Sequence, residues 1–124
     1  MKKTEIIYKN KHFIIINGNQ IRCLEYLSIS AIVYDPPYVR IKILNSKENI
    51  LIFYALREMI QYLPSTFFLC NKATIINLTH VNGIDTYGSS LRLYCKSGDT
   101  VLVSRRNSKM IRERFLEITD DPVL

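Results

Sequence analysis

The sequence predicts a mainly β fold with two short α-helices in a single domain. Much of the chain consists of short alternating or continuous apolar runs that are separated by turn residues. Two longer stretches repeat apolar residues at helical spacing instead. A hydrophobic share of 48% permits a proper core, and 124 residues are enough for one domain.

The first half of the chain reads as antiparallel strands joined by short turns. Asn17-Gly18-Asn19 and Asp35-Pro36-Pro37 have the composition of turns. Between residues 38 and 43, odd positions are apolar and even positions polar or aromatic, which is typical of a half-buried sheet. The predicted strands of this half are residues 12–17, 20–23, 29–34, 38–44 and 50–54.

A short amphipathic helix follows these strands. Leu56, Met59, Ile60 and Leu63 recur at the spacing of one helix face, and Pro64 ends the run. We expect this stripe to pack against the core, with Met59 as a packing residue rather than part of a ligand pocket.

The second half predicts further strands at residues 67–71, 74–77, 83–87, 91–94 and 100–103, and a closing helix at 107–117. Lys72-Ala73 interrupts the first strand pair of this half. The closing helix has an apolar stripe that should dock it onto the sheet and a basic outer surface. The stripe comprises Met110, Ile111, Phe115 and Ile118, and the basic surface comprises Arg105, Lys109, Arg112 and Arg114.

Arg105 and Arg106 lie at the predicted corner between the last strand and the last helix. A guanidinium presents a planar fork of donors that matches guanine O6 and N7 or two phosphate oxygens. Arginines at a helix start also oppose the helix dipole, which favours an anionic partner. The alternative is that Ser104 caps the helix while both arginines are ordinary surface charges.

Charge and composition narrow the function classes. The formal net charge of +6 suits a polyanionic partner without requiring one. Cys23, Cys70 and Cys95 form no metal-binding or disulfide pattern, and neither a signal peptide nor a membrane span is visible, so we expect a cytoplasmic protein. His12 and His80 are the only histidines, and no catalytic motif accompanies them. The sequence thus predicts no enzyme, no cofactor or metal, and no small-molecule substrate.

The termini look loose. We expect residues 1–11 to form a basic extension, residues 12–119 the domain, and residues 120–124 a tail.

Three groups of residues, in order along nearly the whole chain, resemble the LytTR family of bacterial DNA-binding domains, found mostly in response regulators. The helix group is Leu56, Glu58, Leu63 and Pro64; the strand group is Phe67, Phe68, Asn71, Ala73, Ile76, Asn77, Leu78 and Val81; the junction group is Val101, Val103, Ser104, Arg105 and Arg106.

The resemblance implies an elongated stack of small antiparallel sheets that inserts loops, not a recognition helix, into successive major grooves. It places the guanine-reading arginine at Arg106, on the loop before the last helix. Arg105, Asn107 and Lys109 are further DNA-binding candidates beside it. Asn77 and His80 are expected to make local hydrogen bonds.

A second reading loop falls on Lys72 and Asn71, and a third precedes Tyr38 and Arg40. The sequence departs from the family pattern at Leu69, where arginine is frequent, at Asn71, where histidine is common, and at Ala73, where serine is usual. Asp35 would repel phosphate if it pointed toward DNA.

The predicted function is sequence-specific binding of double-stranded DNA by a transcriptional regulator, with two copies on short repeated half-sites. A regulatory protein or self-association on DNA would supply control, because 124 residues leave no room for a receiver domain. The chain would then be a free-standing regulator or a fragment of a longer one. The alternative is a β-rich protein-interaction module that kept the fold but weakened or lost DNA binding.

Overall fold

A computed structural model describes residues 4–118, in which eleven strands form three antiparallel sheets accompanied by two α-helices. The first sheet has the order β1 (Glu5–Tyr8), β2 (His12–Asn17), β3 (Gln20–Glu25). The central sheet has the order β6 (Asn49–Ile52), β5 (Tyr38–Ile43), β4 (Ile29–Asp35), β8 (Thr74–Asn77), β7 (Phe67–Asn71). The third has the order β11 (Thr100–Val103), β10 (Ser90–Cys95), β9 (Val81–Tyr87). Helix α1 (Leu56–Tyr62) precedes β7, and helix α2 (Arg105–Ile118) follows β11.

The central sheet separates two hydrophobic cores. On one face, Ile32, Ile41 and Ile75 pack with Phe13 of the first sheet and Met59 of α1. The opposite face contributes Ala31, Cys70 and Ile76 to a core with the third sheet and α2, where Leu93 and Ile111 are fully buried. The alternation of side chains therefore directs β4, β7 and β8 toward both cores, whereas β5 and β6 contribute to the first core only.

The predicted mainly β architecture with two helices is confirmed, and β2, β7, β8 and β11 have the predicted bounds. Val39 and Ile41 are fully buried, as the alternation in β5 predicts. Two 3₁₀ helices, Tyr26–Ser28 and Leu78–His80, were not predicted.

Asn77 and His80 connect these two 3₁₀ helices. The Asn77 amide donates to the carbonyls of Tyr26 and Ile29 at 3.2 and 3.1 Å, and its oxygen accepts from Thr79 N–H at 3.1 Å. His80 Nε2 hydrogen-bonds the Leu27 carbonyl. Asn77 therefore ties a loop with its side-chain amide, as predicted. The hydrogen bond of His80 is not local as expected, because Leu27 lies 53 residues away in the sequence.

The expectation that residues 1–11 are loose is wrong for residues 5–8. These residues form β1, which pairs with β2 so that Ile6 lies opposite Ile15 and Tyr8 opposite Phe13. The side chains of Ile6 and Tyr8 pack against the first core, which explains why the segment is ordered. Residue 119 and the predicted tail, 120–124, lie outside the described residues.

Three expectations about α2 are corrected. The helix begins at Arg105, so Arg105 and Arg106 belong to its first turn rather than to a preceding loop. Met110 is 52% exposed and does not join the apolar stripe, because the inward-facing side is set by Ser108 and Ile111. Arg114 is not a free surface charge, since it contacts Glu117 and Ser65 at 2.8 and 3.0 Å.

Candidate nucleic-acid interface

The start of α2, the β7–β8 turn and the start of α1 surround one cleft of about 550 Å³. We call it the basic cleft. Arg106 lines it from α2, Lys72 from the β7–β8 turn and Arg57 from α1. Its remaining walls are formed by Leu56, Leu69, Asn71, Ser104 and Asn107.

Hydrogen bonds between distant segments fix the relative positions of the first two of these elements. Ser104 N–H donates to the Cys70 carbonyl at 2.9 Å, and the Asn107 amide donates to the Leu69 carbonyl at 3.0 Å. The Asn71 amide donates to the Leu102 carbonyl at 2.9 Å. The β7 strand is thereby joined to both sides of the β11–α2 junction, so Lys72 and Arg106 are presented from one rigid frame.

The electrostatics of the basic cleft favour an anion. Within the described part of the chain, Arg57, Lys72 and Arg106 form no ion pair, and no carboxylate lines the cleft. Three unpaired cations on one cleft repel each other, and a polyanion relieves that repulsion. The first backbone N–H groups of α2 add positive potential at the same place, because they lack partners within the helix.

The sequence predictions missed Arg57. It lies on the exposed side of α1, next to the inward-facing Leu56. Helical periodicity predicts that exposure, but only the packing of α1 beside the β7–β8 turn places Arg57 with Lys72. No local sequence pattern predicts that these two residues line the same cleft.

A second, more apolar cleft of about 500 Å³ adjoins the first and shares Leu56, Arg57 and Lys72 with it. Tyr34 and Pro37 line its other end, beside the turn of the third predicted reading loop. Tyr34 N–H donates to the Ala73 carbonyl at 2.8 Å, which ties that loop to the β7–β8 turn.

Tyr38 and Arg40, the predicted contacts of the third loop, do not line either cleft. Arg40 forms a 2.6 Å ion pair with Asp35, at side-chain exposures of 33% and 52%. The carboxylate that was expected to repel phosphate therefore pairs with Arg40, a predicted DNA contact, and offsets its charge. Tyr38 lies at the start of β5, half-buried opposite Asp35.

Asn71 and Asn107 line the basic cleft, but their side-chain amides already form hydrogen bonds within the protein. The Asn71 oxygen accepts from Ala73 N–H at 2.9 Å while its amide holds Leu102. The Asn107 amide holds Leu69. Both residues thus position the β7–β8 turn, which carries Lys72, and the first turn of α2, which carries Arg106.

Arg105 and Lys109 are exposed on α2 outside the basic cleft, as is Arg112 further along the helix. Their spacing places them near one another on the solvent side of the helix. They extend the positive surface beyond the cleft.

The remaining chemistry of the chain is sparse. Within residues 4–118, no group of three or more His, Cys, Asp or Glu side chains could hold a metal ion, and neither helix is long and apolar enough to cross a membrane. Burial raises the pKa of Cys70 to about 12 and that of Cys95 to about 11, so both thiols stay protonated, whereas Cys23 is exposed.

Comparison with known proteins identifies the fold and its relatives. The model of the LytTr DNA-binding domain family matches residues 19–116. One similar solved structure is the LytTr DNA-binding domain of a protein named as a methyl-accepting/DNA response regulator from Bacillus cereus. It has a TM-score of 0.70 and 16% identity and covers 87% of this chain and 98% of that chain. No curated protein sequence matches the chain significantly.

Proposed function

The chain belongs to the LytTR family of DNA-binding domains, and from this premise we propose that it binds double-stranded DNA sequence-specifically through the basic cleft, as a transcription regulator. The observation that carries the proposal is the meeting of Arg57, Lys72 and Arg106 on one cleft without a carboxylate. Three segments that are distant in sequence supply these cations. Solubility alone does not require cations from distant segments to meet on one cleft.

Arg106 is the proposed base reader. Its planar fork can bind guanine O6 and N7 together, a geometry that lysine cannot reproduce. Its backbone belongs to a helix turn that hydrogen bonds of Ser104 and Asn107 join to β7, so few backbone conformations are lost when the fork binds a base. Rigid presentation favours discrimination between bases over general attraction.

Lys72 is proposed to enter the neighbouring groove from the β7–β8 turn, and Arg57 to contact the phosphates between the two insertions. A lysine is a compact charge on a flexible stem, and the exposed turn leaves it free to reach DNA. Arg105 and Lys109 are proposed to contact phosphates outside the cleft. Asn71 and Asn107 position the β7–β8 turn and the first turn of α2. Arg40 is not proposed to contact DNA, because it pairs with Asp35.

Two copies are proposed to occupy short repeated half-sites. A single cleft with few cations gives limited affinity, whereas two linked copies add their contacts on one duplex. A separate regulatory protein with an acidic surface is proposed to control the chain by covering the same cleft, because the cations of the cleft attract such a surface.

A protein-interaction module is the second candidate, and two observations favour it. Leu69 is half-buried and lines the basic cleft while it packs against the first core, so the position where the family pattern has a frequent arginine offers DNA no charge. The amide and oxygen of Asn71 are both engaged within the protein. The departures from the family pattern therefore remove contacts that DNA would otherwise receive.

The test is the salt dependence of duplex binding for Arg57→Gln and Lys47→Gln, measured by fluorescence anisotropy. Both substitutions remove one exposed positive charge, but Lys47 lies in the β5–β6 loop outside the basic cleft. Loss of a phosphate contact should reduce the slope of log K against log salt by about 0.9 for Arg57→Gln. Lys47→Gln should keep the wild-type slope. Equal slopes for both variants would remove Arg57 from the interface, and no binding by wild type at low salt would favour the second candidate.

A further inference from the structure

The uncharged walls of the second cleft have no role in the function proposed above. We call this cleft the apolar cleft, and it shares Leu56, Arg57 and Lys72 with the basic cleft. Its uncharged walls also contain three aromatic side chains, and they comprise Tyr34, Pro37, Phe53, Tyr54 and Ala55. A partner bound in the basic cleft therefore meets an apolar surface directly beside the shared cations.

Strand register explains why Tyr34 faces the apolar cleft. Tyr34 lies two residues after Ile32 and opposite Val39, and both of these side chains are fully buried in the first core. Side chains that are two residues apart, or directly opposite each other on neighbouring strands, share one face of a sheet. Tyr34 therefore continues the first-core face beyond the end of the core, where it is 49% exposed.

Two carboxylates that are close in sequence to the cleft residues do not line the cleft. Asp35 and its ion-pair partner Arg40 share the face of Val33, which packs against the second core on the other side of the sheet. Glu58 accepts a hydrogen bond from the Tyr54 hydroxyl at 3.3 Å. Among the described residues, no carboxylate lines the apolar cleft, so the shared cations attract an anionic partner here as well.

Backbone hydrogen bonds hold the walls of the apolar cleft in place. Tyr34 N–H donates to the Ala73 carbonyl at 2.8 Å, which fixes this wall relative to the β7–β8 turn. On another wall, Phe53 N–H donates to Thr4 Oγ1 at 3.1 Å, and the Phe53 carbonyl accepts from Thr4 N–H at 3.1 Å. An apolar surface fixed in this way selects a partner of matching shape, because little ordering is needed on binding.

Duplex DNA combines the two properties that this surface requires, an anionic backbone and an apolar group at a defined position. In the major groove, the apolar group on a base edge is the C5-methyl of thymine. A duplex whose phosphates contact Arg57 lies against both clefts, since Arg57 belongs to each.

From these observations we infer that the apolar cleft reads a thymine, whose C5-methyl packs against the Tyr34 ring and Pro37. The inference rests on the DNA binding proposed above and adds a second base-specific contact to that of Arg106. Cytosine presents an amino donor and no methyl group at the same groove edge, so it lacks the apolar contact. The third predicted loop then specifies sequence through Tyr34 and Pro37 instead of Tyr38 and Arg40.

The test uses deoxyuridine, which differs from thymidine only by the missing C5-methyl. Each thymine of the duplex motif selected from a random library is replaced singly, and affinity is measured by fluorescence anisotropy. We expect one thymine in each half-site whose replacement weakens wild-type binding about fourfold, the effect of exposing one buried methyl group. Cytosine at that position should also weaken binding, and 5-methylcytosine should recover about fourfold of that loss.

Three variants assign the methyl contact to the apolar cleft. Tyr34→Phe keeps the ring and should keep the fourfold difference between thymine and deoxyuridine, whereas Tyr34→Ser should reduce it below about twofold. Tyr62→Ser is the matched control and should keep the difference, because Tyr62 is 57% exposed and lines neither cleft. Circular dichroism should show that all three variants fold.

The outcomes separate this inference from the proposed function. Binding to a motif in which no thymine can be weakened by deoxyuridine, or which contains no thymine, would overturn the thymine site and leave the DNA binding intact. An unchanged difference in Tyr34→Ser, or an equal loss of it in Tyr62→Ser, would also overturn the thymine site. If wild type selects no motif at all, the proposed function fails and the thymine site fails with it.

Discussion

Two asparagines determine how firmly the proposed reading residues are held. Asn71 closes its own turn through Ala73 and reaches the carbonyl of Leu102 on β11, and Asn107 reaches the carbonyl of Leu69 on β7. Their amides connect segments that are 31 and 38 residues apart. The positions of Lys72 and Arg106 therefore depend on side chains that need not touch DNA.

Asn71→Ala should lower the free energy of unfolding by about 1–2 kcal/mol. The change removes both hydrogen bonds and leaves the Ala73 N–H and the Leu102 carbonyl without their partner, which costs more than an ordinary surface change. Urea denaturation measures the difference. Lys72→Ala, in the same turn, should stay within about 0.5 kcal/mol of wild type. Unchanged stability for Asn71→Ala, with a loss of DNA affinity, would return Asn71 to the role of a direct DNA contact.

At the residue scale, the sequence predicted which polar side chains matter better than it predicted the groups to which they hydrogen-bond. The sequence predicts DNA contacts for Asn71 and Asn107, but it does not specify whether an amide donates to DNA or to a carbonyl 31 or 38 positions away. Arg57 was missed for the same physical reason, because its meeting with Lys72 is a consequence of tertiary packing. For Asn77 the sequence predicted a loop-tying amide, but only its Thr79 partner is local, because the carbonyls of Tyr26 and Ile29 lie 51 and 48 residues away.

At the scale of elements, the docking of α2 sets the orientation of its first turn. Ile111 is fully buried against the third sheet, and Phe115 and Ile118 pack around the same core. Ser108 is also buried and donates to the Ser104 carbonyl at 2.9 Å. Arg106 is directed into the basic cleft only while the buried face of α2 remains packed against this core.

Ile111→Ala should destabilise the protein by about 2–5 kcal/mol, because it deletes buried methyl groups and leaves a cavity. Met110→Ala, one position earlier, is the matched control and should change stability by less than about 0.5 kcal/mol, since Met110 is 52% exposed. Thermal or urea unfolding of the two variants measures both values. Comparable losses would mean that Met110 is buried and that the helix is rotated from the orientation described here.

Strand periodicity predicted most elements well because apolar alternation directly reports which side chains face a core. β2, β7, β8 and β11 begin and end where the pattern indicates. The start of α2 was placed two residues late, since arginines and asparagine carry no apolar signal that separates a corner from a first helical turn. β1 was missed because four lysines around Ile6 and Ile7 made the segment look solvated.

At the scale of the whole molecule, the distribution of ion pairs matters more than the net charge. Ion pairs within the described residues lie away from the basic cleft: Asp35 pairs with Arg40, Asp99 with Lys42 and Glu117 with Arg114. Arg57, Lys72 and Arg106 form no ion pair within the described residues. The sequence gives a formal net charge of +6, but only the fold concentrates unpaired charge on one surface.

Base reading by Arg106 from the basic cleft is the central proposal for this protein. The most direct test is selection of bound duplexes from a random DNA library at near-physiological salt, with wild type, Arg106→Ala and Arg40→Ala compared. Wild type should enrich a motif of repeated half-sites, and Arg40→Ala should enrich the same motif, because Arg40 is paired with Asp35.

Arg106→Ala should relax the preference at one base position of each half-site, by about 1–3 kcal/mol, and leave the other positions readable. A wild-type protein that enriches no motif would contradict sequence-specific binding. A motif that weakens uniformly in Arg106→Ala, or that weakens as much in Arg40→Ala, would contradict the assignment of Arg106 as the base reader.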